Sequence, residues 1–242
     1  MTSLHILVTR PSPAGEALCK LIEARGDHAL HLPTIAFVQQ TILPLGAQDW
    51  IIFTSPQAVY SSPLRLPPHA KFAAVGAGTA AALKAAGYLT TVYPTTNQSS
   101  EGLLALPEFQ TLPGQKIAII RGAGGREQLE KILTARGAHV TSVIAYQRIL
   151  PTIDISSYLP LLKKKQINVI ITTSGEGAQN LKRLFQDQGW PEIRQIPLIV
   201  VSDRIKLIAE ALGFQTVWVA RHAGHQAIFE VLEQKRNELC QK

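Results

Sequence analysis

Cysteine is almost absent from this chain of 242 residues: Cys19 lies inside an apolar helical pattern and Cys240 within the last three positions. Two thiols so far apart indicate neither a disulfide framework nor a thiolate metal site. Aromatic residues make up only 6% of the chain, too few for a nucleic-acid module built on base stacking. No stretch approaches the roughly 20 apolar residues that span a bilayer, so no membrane association is expected. The opening Met1-Thr2-Ser3-Leu4-His5 has neither a basic start nor a cleavage pattern, and a cytoplasmic location is expected. Catalytic signatures are missing too: there is no G-x-S-x-G elbow, no H-E-x-x-H and no C-x-x-C. His222-x-x-His225 has no carboxylate or thiol beside it, so a histidine pair at a helix start outweighs a metal site. Neither a cofactor nor a metal is expected.

What is present is a globular composition, 46% hydrophobic and 17% charged, long enough for one large α/β domain or two small ones. The net charge of +7 favours an anionic partner. The densest basic cluster, Lys163-Lys164-Lys165, ends a predicted helix as a solvated face, and the other cations are dispersed singly. That distribution is unlike a nucleic-acid groove. An acidic small molecule fits better.

An internal repeat organises the chain. Arg10 recurs as Arg121, Arg25 as Arg136 and His28 as His139, a constant separation of 111 residues. A second pair follows: Trp50-Ile51-Ile52-Phe53-Thr54-Ser55 returns as Val169-Ile170-Ile171-Thr172-Thr173-Ser174, offset by 119. So long a period argues for two lobes of one architecture. Short apolar runs alternate with helical patterns, which implies parallel sheets covered by helices on both faces. Strands are predicted at 4–9, 28–32, 50–54, 71–75, 90–93, 116–120, 139–145, 167–172, 197–201 and 215–219. Between the first two, Ser12 is expected to cap a helix, with Pro13 in its first turn, Ala14, Ala17, Leu18, Leu21 and Ile22 as its buried stripe and Gly26 as its stop.

Periodicity leaves the lobe boundary open. Either two contiguous halves follow one another, or the chain leaves the first lobe after about residue 37, completes the second and returns near Arg148. The extended segments Ile35 to Gln39 and Ala145 to Ile149 occupy matching places and read as connectors between lobes.

In open parallel sheets, ligands meet the loops at the carboxyl ends of the strands, where helix N-termini offer N–H groups to anions. Six such loops are small and polar: Thr9-Arg10-Pro11-Ser12, Thr54-Ser55-Pro56-Gln57, Gly76-Ala77-Gly78-Thr79, Arg121-Gly122-Ala123-Gly124-Gly125-Arg126, Thr172-Thr173-Ser174-Gly175 and Ser202-Asp203-Arg204. Each permits a tight strand-to-helix turn, and each is able to cradle a carboxylate or phosphate. Gly76 to Ala81 matches G-x-G-x-x-A, but no acid or arginine follows at the spacing a dinucleotide requires. Arg121 to Arg126 lacks the Gly-Lys-Ser/Thr ending of a P-loop.

Taken in order and spacing, the segments Ile6 to Pro11, Ile52 to Val59, Val75 to Thr79, Ser99 to Leu103, Ile120 to Glu127, Tyr146-Gln147, Thr173-Ser174 and Val201-Ser202 resemble the uroporphyrinogen-III synthase family over nearly the whole chain. The resemblance implies an α/β fold of two Rossmann/flavodoxin-like lobes joined by a two-stranded β connector. Residues 1–37 plus 149–242 would form a discontinuous first lobe and residues 38–148 the second, with the active site in the cleft between them. It also implies hydroxymethylbilane as substrate and uroporphyrinogen III as product. The octacarboxylate substrate suits the charge and the loops, and a monomer with transient contact to the preceding deaminase is expected.

Such an enzyme expels the substrate hydroxyl as water, leaving a pyrrole-stabilised azafulvene cation on ring A. Ring D then attacks through its substituted carbon, forms a spiro-pyrrolenine, fragments and recombines inverted. The resemblance singles out Tyr146 as the acid that helps the hydroxyl leave, against the alternative of a packed strand tyrosine. Thr54, Ser55, Gly76, Thr79, Ser99, Thr173 and Ser174 become carboxylate or ring-positioning donors, beside the loop residues Thr9, Arg10, Gly78, Arg121, Gly122 and Ser202. Where some relatives carry Gly-Pro-Thr, this chain has Ser202-Asp203-Arg204. The competing expectation is a two-lobed cytoplasmic anion-binding module without catalysis, on the plan of solute-binding proteins. A two-lobed glycosyltransferase would be longer and carry nucleotide-sugar contacts.

Overall fold

The computed structural model describes residues 3–62, 69–88, 91–125 and 127–240. Arg126 and Thr90, the first residue of the strand expected at 90–93, lie outside the described residues. In chain order the elements are β1 (His5–Val8), α1 (Ala14–Glu23), β2 (His28–His31), β3 (Ala36–Gln39), β4 (Trp50–Phe53), α2 (Pro56–Tyr60), β5 (Lys71–Ala74), α3 (Ala77–Ala85), β6 (Thr91–Val92), α4 (Ser100–Leu104), β7 (Lys116–Gly122) and α5 (Gln128–Ala135). They continue with β8 (His139–Ile149), α6 (Leu159–Lys163), β9 (Val169–Ile171), α7 (Gly175–Phe185), α8 (Trp190–Ile193), β10 (Leu198–Val200), α9 (Asp203–Ala211), β11 (Val217–Val219) and α10 (His225–Cys240).

The chain divides into two compact units, Met1–Ala36 with Ile149–Lys242, and Phe37–Arg148. In the first unit five parallel strands lie in the order β2-β1-β9-β10-β11. Its central strands are continuous apolar runs because both faces are covered. Ile6 and Val8 face a core with Leu18, Ile22, Ile228 and Leu232, while Leu7 faces the opposite core with Leu181, Phe185 and Ile205.

In the second unit the order is β3-β8-β7-β4-β5-β6, and the run from β8 to β6 is parallel. Ile51 and Phe53 of β4 face one core and Ile52 the other. The five parallel strands of each unit share one spatial plan, entered at different points. The pair β1-β2 comes first in its unit, and the corresponding pair β7-β8 comes last in the other. The repeat seen in the sequence is therefore a circular permutation.

Several local expectations change. Ser12 does not cap α1: Pro13 holds the N-cap position, and the Ser12 hydroxyl donates to Glu16 at 2.7 Å. The buried face of α1 is Gly15, Leu18, Cys19 and Ile22, whereas Ala17 and Leu21 are exposed. Gly15 sets that rotation, since a Cβ there would stand 2.2 Å from the Arg10 carbonyl oxygen and 2.3 Å from His31 Nε2. Gly26 does end the helix, at φ +85°. The segments read as a two-stranded connector do form paired strands, β3 and the end of β8, which are neighbours in one sheet, and the Gln40 N–H donates to the Ala145 carbonyl at 2.9 Å. Among the described residues no helix is long and apolar enough to cross a membrane.

Candidate active site

Because the strands that carry them are parallel, the loops expected to bind lie at the carboxyl edge of their own sheets. In the second unit that edge has a topological switch point between β4 and β7, from which neighbouring connections run in opposite directions; such a point opens a crevice for ligands. A cavity of about 280 Å³ sits there, lined by Thr54, Ser55, Arg121, Gly122, Tyr146 and Arg148 among others.

Tyr146 reaches this place through an irregularity. Arg121 pairs with Ile144, but Gly122 pairs with Tyr146, so β8 carries one extra residue at the end of β7. The Ala123 N–H then donates to the Tyr146 carbonyl at 2.8 Å. Bulges of this kind re-aim side chains beside functional sites. The Tyr146 ring packs edge-on against Phe37 at 5.4 Å and is only 2% exposed. Its hydroxyl lies 3.0 Å from Ser55 Oγ. Arg148, two residues along the same strand, holds its guanidinium carbon 5.9 Å from the Tyr146 ring centre.

The serines that follow the strands share another task. Ser55, Ser99, Ser174 and Ser202 are the N-caps of α2, α4, α7 and α9, accepting from the N–H groups of Ala58 (3.1 Å), Gly102 (3.1 Å), Gly177 (2.9 Å) and Ile205 (3.4 Å). Capping uses an oxygen lone pair and leaves each hydroxyl proton to donate. At α3 the N-cap is Gly76 and the exposed Ala77 N–H is taken by Gln98 Oε1 at 3.1 Å. Gly78 and Thr79 lie inside the first turn of that helix, with Thr79 buried. Gly76, Gly78, Thr79 and Ser99 do not line the 280 Å³ cavity.

Arg121 is buried and donates to the Gly125 carbonyl, closing its own loop. Thr54 lies at the cavity with its hydroxyl 3.5 Å from the Ile120 carbonyl.

In the first unit, Thr9, Arg10, Thr173, Ser174 and Ser202 share the carboxyl edge around β1, β9 and β10. The Thr9 hydroxyl is turned inward, donating to the Ile171 carbonyl at 3.0 Å, and the residue is 2% exposed. Its donor is spent on the sheet. Arg10 donates to the Ala223 carbonyl at 3.2 Å, and burial pushes its guanidinium below the ordinary range. His225, which opens α10, is likewise held below the usual imidazole range, first by burial and then by the Arg10 charge. Among the described residues no cluster of histidine, cysteine or carboxylate side chains is able to hold a metal.

Sequence reasoning missed Glu130, Arg148 and Gln98. Glu130 lines the cavity and accepts from the Ser142 hydroxyl at 2.5 Å. Arg148 was within reach, because positions two apart on a strand share a face. Nothing local marks the other two.

Fold and site together define a protein of two α/β units whose strand-end loops carry hydroxyls, helix caps and guanidinium groups. The family model described as "Uroporphyrinogen-III synthase HemD" matches residues 16–230. The uroporphyrinogen-III synthase of Escherichia coli K12 is 35% identical over 248 residues, covering 95% of this chain and all of that protein. That of Proteus mirabilis is 32% identical, covering 69% of this chain and 90% of the relative. Among solved structures, the Helicobacter pylori 26695 uroporphyrinogen-III synthetase has a TM-score of 0.63 at 16% identity, covering 96% of this chain and 99% of that one. A mutant uroporphyrinogen III synthase from the extremely thermophilic bacterium Thermus thermophilus has a TM-score of 0.57 at 17% identity, covering 96% and 100%. The two structures share the α/β fold. The chain belongs to the uroporphyrinogen-III synthase family, and with it to the lyases of porphyrin and heme biosynthesis.

Proposed function

We propose that the chain cyclises hydroxymethylbilane to uroporphyrinogen III, with loss of water and inversion of ring D through a spiro-pyrrolenine. The observation that carries the reading is the match to the Escherichia coli synthase along the whole length of that protein. Chemically, the pyrrole nitrogen lone pair expels the hydroxyl, so the enzyme needs one proton donor and firm control of ring position. Tyr146 is that donor, and Arg121, Arg148 and Thr54 surround the same cavity. Two guanidiniums suit a substrate that carries carboxylates on every ring. On the first unit, Arg10, Thr173, Ser174 and Ser202 are the carboxylate donors. Positioning of this kind is worth up to roughly 7–11 kcal/mol. The reading extends to a cytoplasmic monomer in transient contact with the deaminase that supplies its substrate, requiring neither metal nor nucleotide.

The test is incubation with enzymatically generated hydroxymethylbilane in the presence of EDTA, followed by oxidation and chromatographic separation of the uroporphyrin isomers. Type III product is expected at an undiminished rate. Activity lost to EDTA and restored by a divalent ion would overturn the metal-free mechanism.

A further inference from the structure

We propose that Ser55 is a positioning residue for Tyr146: its hydroxyl donates to the phenol oxygen and so frees the phenol proton for the departing substrate hydroxyl. The inference rests on the synthase reading and deepens it. In place of a direct contact with a substrate carboxylate, Ser55 acts through the tyrosine.

Ser55 Oγ accepts the Ala58 N–H at 3.1 Å, a bond fixed by the start of α2. A serine hydroxyl has one proton and two acceptor sites. The cap holds one acceptor site and leaves the serine proton for the 3.0 Å contact with Tyr146 Oη; either hydroxyl has the geometry to donate there, and we assign that proton to Ser55. A phenol oxygen that receives this bond keeps its own proton for another acceptor, and its ring is fixed from three sides. Phe37 packs edge-on against it, Gly122 leaves the room for it, and the bulge in β8 sets its height. The cavity beside it is lined by Thr54, Arg121 and Arg148.

In the reaction the Tyr146 proton passes to the substrate hydroxyl oxygen as the C–O bond breaks. That bond's electron pair leaves with water, and the pyrrole nitrogen lone pair fills the vacancy at carbon. The phenolate is held by the Ser55 hydroxyl. The proton released when the ring system regains aromaticity after closure returns to the phenolate, so no co-reactant is consumed. The same bond explains why a capping serine and a strand tyrosine 91 positions apart meet at one cavity.

The experiment compares wild type, Ser55→Gly, Ser55→Thr, Tyr146→Phe and the Ser55→Gly/Tyr146→Phe double variant on hydroxymethylbilane, reading kcat, KM, isomer ratio and Tm. Glycine keeps most of the capping preference, so Tm should move little while the hydroxyl is lost. Ser55→Gly is expected to lower kcat about tenfold, the size of a hydrogen bond to a charged group, with KM within twofold. Ser55→Thr should return kcat to within about threefold of wild type. The double variant should be no slower than Tyr146→Phe alone, because Ser55 has nothing left to position.

Raised KM with unchanged kcat would make Ser55 a direct substrate donor, and an equal loss from Ser55→Gly in both backgrounds would make it independent of Tyr146; either overturns the proposal. A fall in kcat that Ser55→Thr leaves uncorrected, or that tracks a large drop in Tm, would reduce Ser55 to a cap. Wild-type turnover in Tyr146→Phe would remove the acid and the proposal with it. A wild-type protein that makes no type III product would instead overturn the synthase reading.

Discussion

A Cβ placed on Gly122 would stand 2.6 Å from Cζ of Tyr146 and 2.8 Å from its hydroxyl oxygen. The tyrosine ring occupies the space that any other residue at 122 would need. The two residues are partners across the bulge between β7 and β8, so neither the ring nor the strand is free to yield. Gly122→Ala should therefore cost about 1–3 kcal/mol of stability, the usual effect of overpacking. Turnover should fall by more than the loss of folded protein explains. Urea unfolding and steady-state kinetics on one preparation check both, and an unchanged kcat would show that the ring has room to move.

Two other glycines give a contrast between crowding and open space. Gly15 faces the Arg10 carbonyl and His31 at distances no Cβ tolerates, whereas a Cβ on Gly78 would meet only Pro56 Cγ, at 3.8 Å. Gly15→Ala should lower stability by about 1–3 kcal/mol. Gly78→Ala, inside α3, should be neutral or stabilising by up to about 1 kcal/mol. Thermal unfolding of the two variants separates them, and equal Tm values would contradict the packing described.

Asp27 and Arg236 form an ion pair with side chains 6% and 15% exposed, and Asp27 also accepts the Leu4 N–H at 3.0 Å. The pair ties the C-terminal helix α10 to the start of β1. Removing Asp27 takes the nearer carboxylate from Arg236 and leaves Glu233, 3.7 Å from its Nε, as a more exposed partner. Asp27→Asn should cost about 1–3 kcal/mol, with part recovered in the Asp27→Asn/Arg236→Met double variant. Chemical denaturation of the single and double variants measures this; additive losses would show that the two side chains act separately.

Acid sensitivity should arise partly at His225. Burial, followed by the Arg10 charge, lowers its pKa in the folded protein. The unfolded chain then binds a proton that the folded one refuses, so this contribution is present above the unfolded pKa of about 6.5 and is lost as pH falls below it. His225→Gln should flatten the stability profile between about pH 7.5 and 5.5. Profiles of equal slope for variant and wild type would remove His225 from the account.

The strands and the repeat were legible because strands buried on both faces must be written as apolar runs, as Ile6-Leu7-Val8 and Ile51-Ile52-Phe53 are. The small loops after them were legible too, although the serines are caps as well as donors. What escaped is tertiary. The face α1 buries depends on the close approach of Gly15 to the Arg10 carbonyl, and the acceptor for the Ala77 N–H at the start of α3 comes from Gln98, 21 positions away. Arg10 is held by Ala223 across 213 positions. The register of Tyr146 opposite Gly122 rests on a single extra residue in β8, which no periodicity reveals.

The isomer ratio formed from hydroxymethylbilane separates steered from unsteered ring closure, because the uncatalysed bilane closes without inverting ring D. With native protein, type III should dominate and its share should rise with protein concentration; heat-denatured protein should leave type I. Type I product at every protein concentration would mean that the chain does not invert ring D.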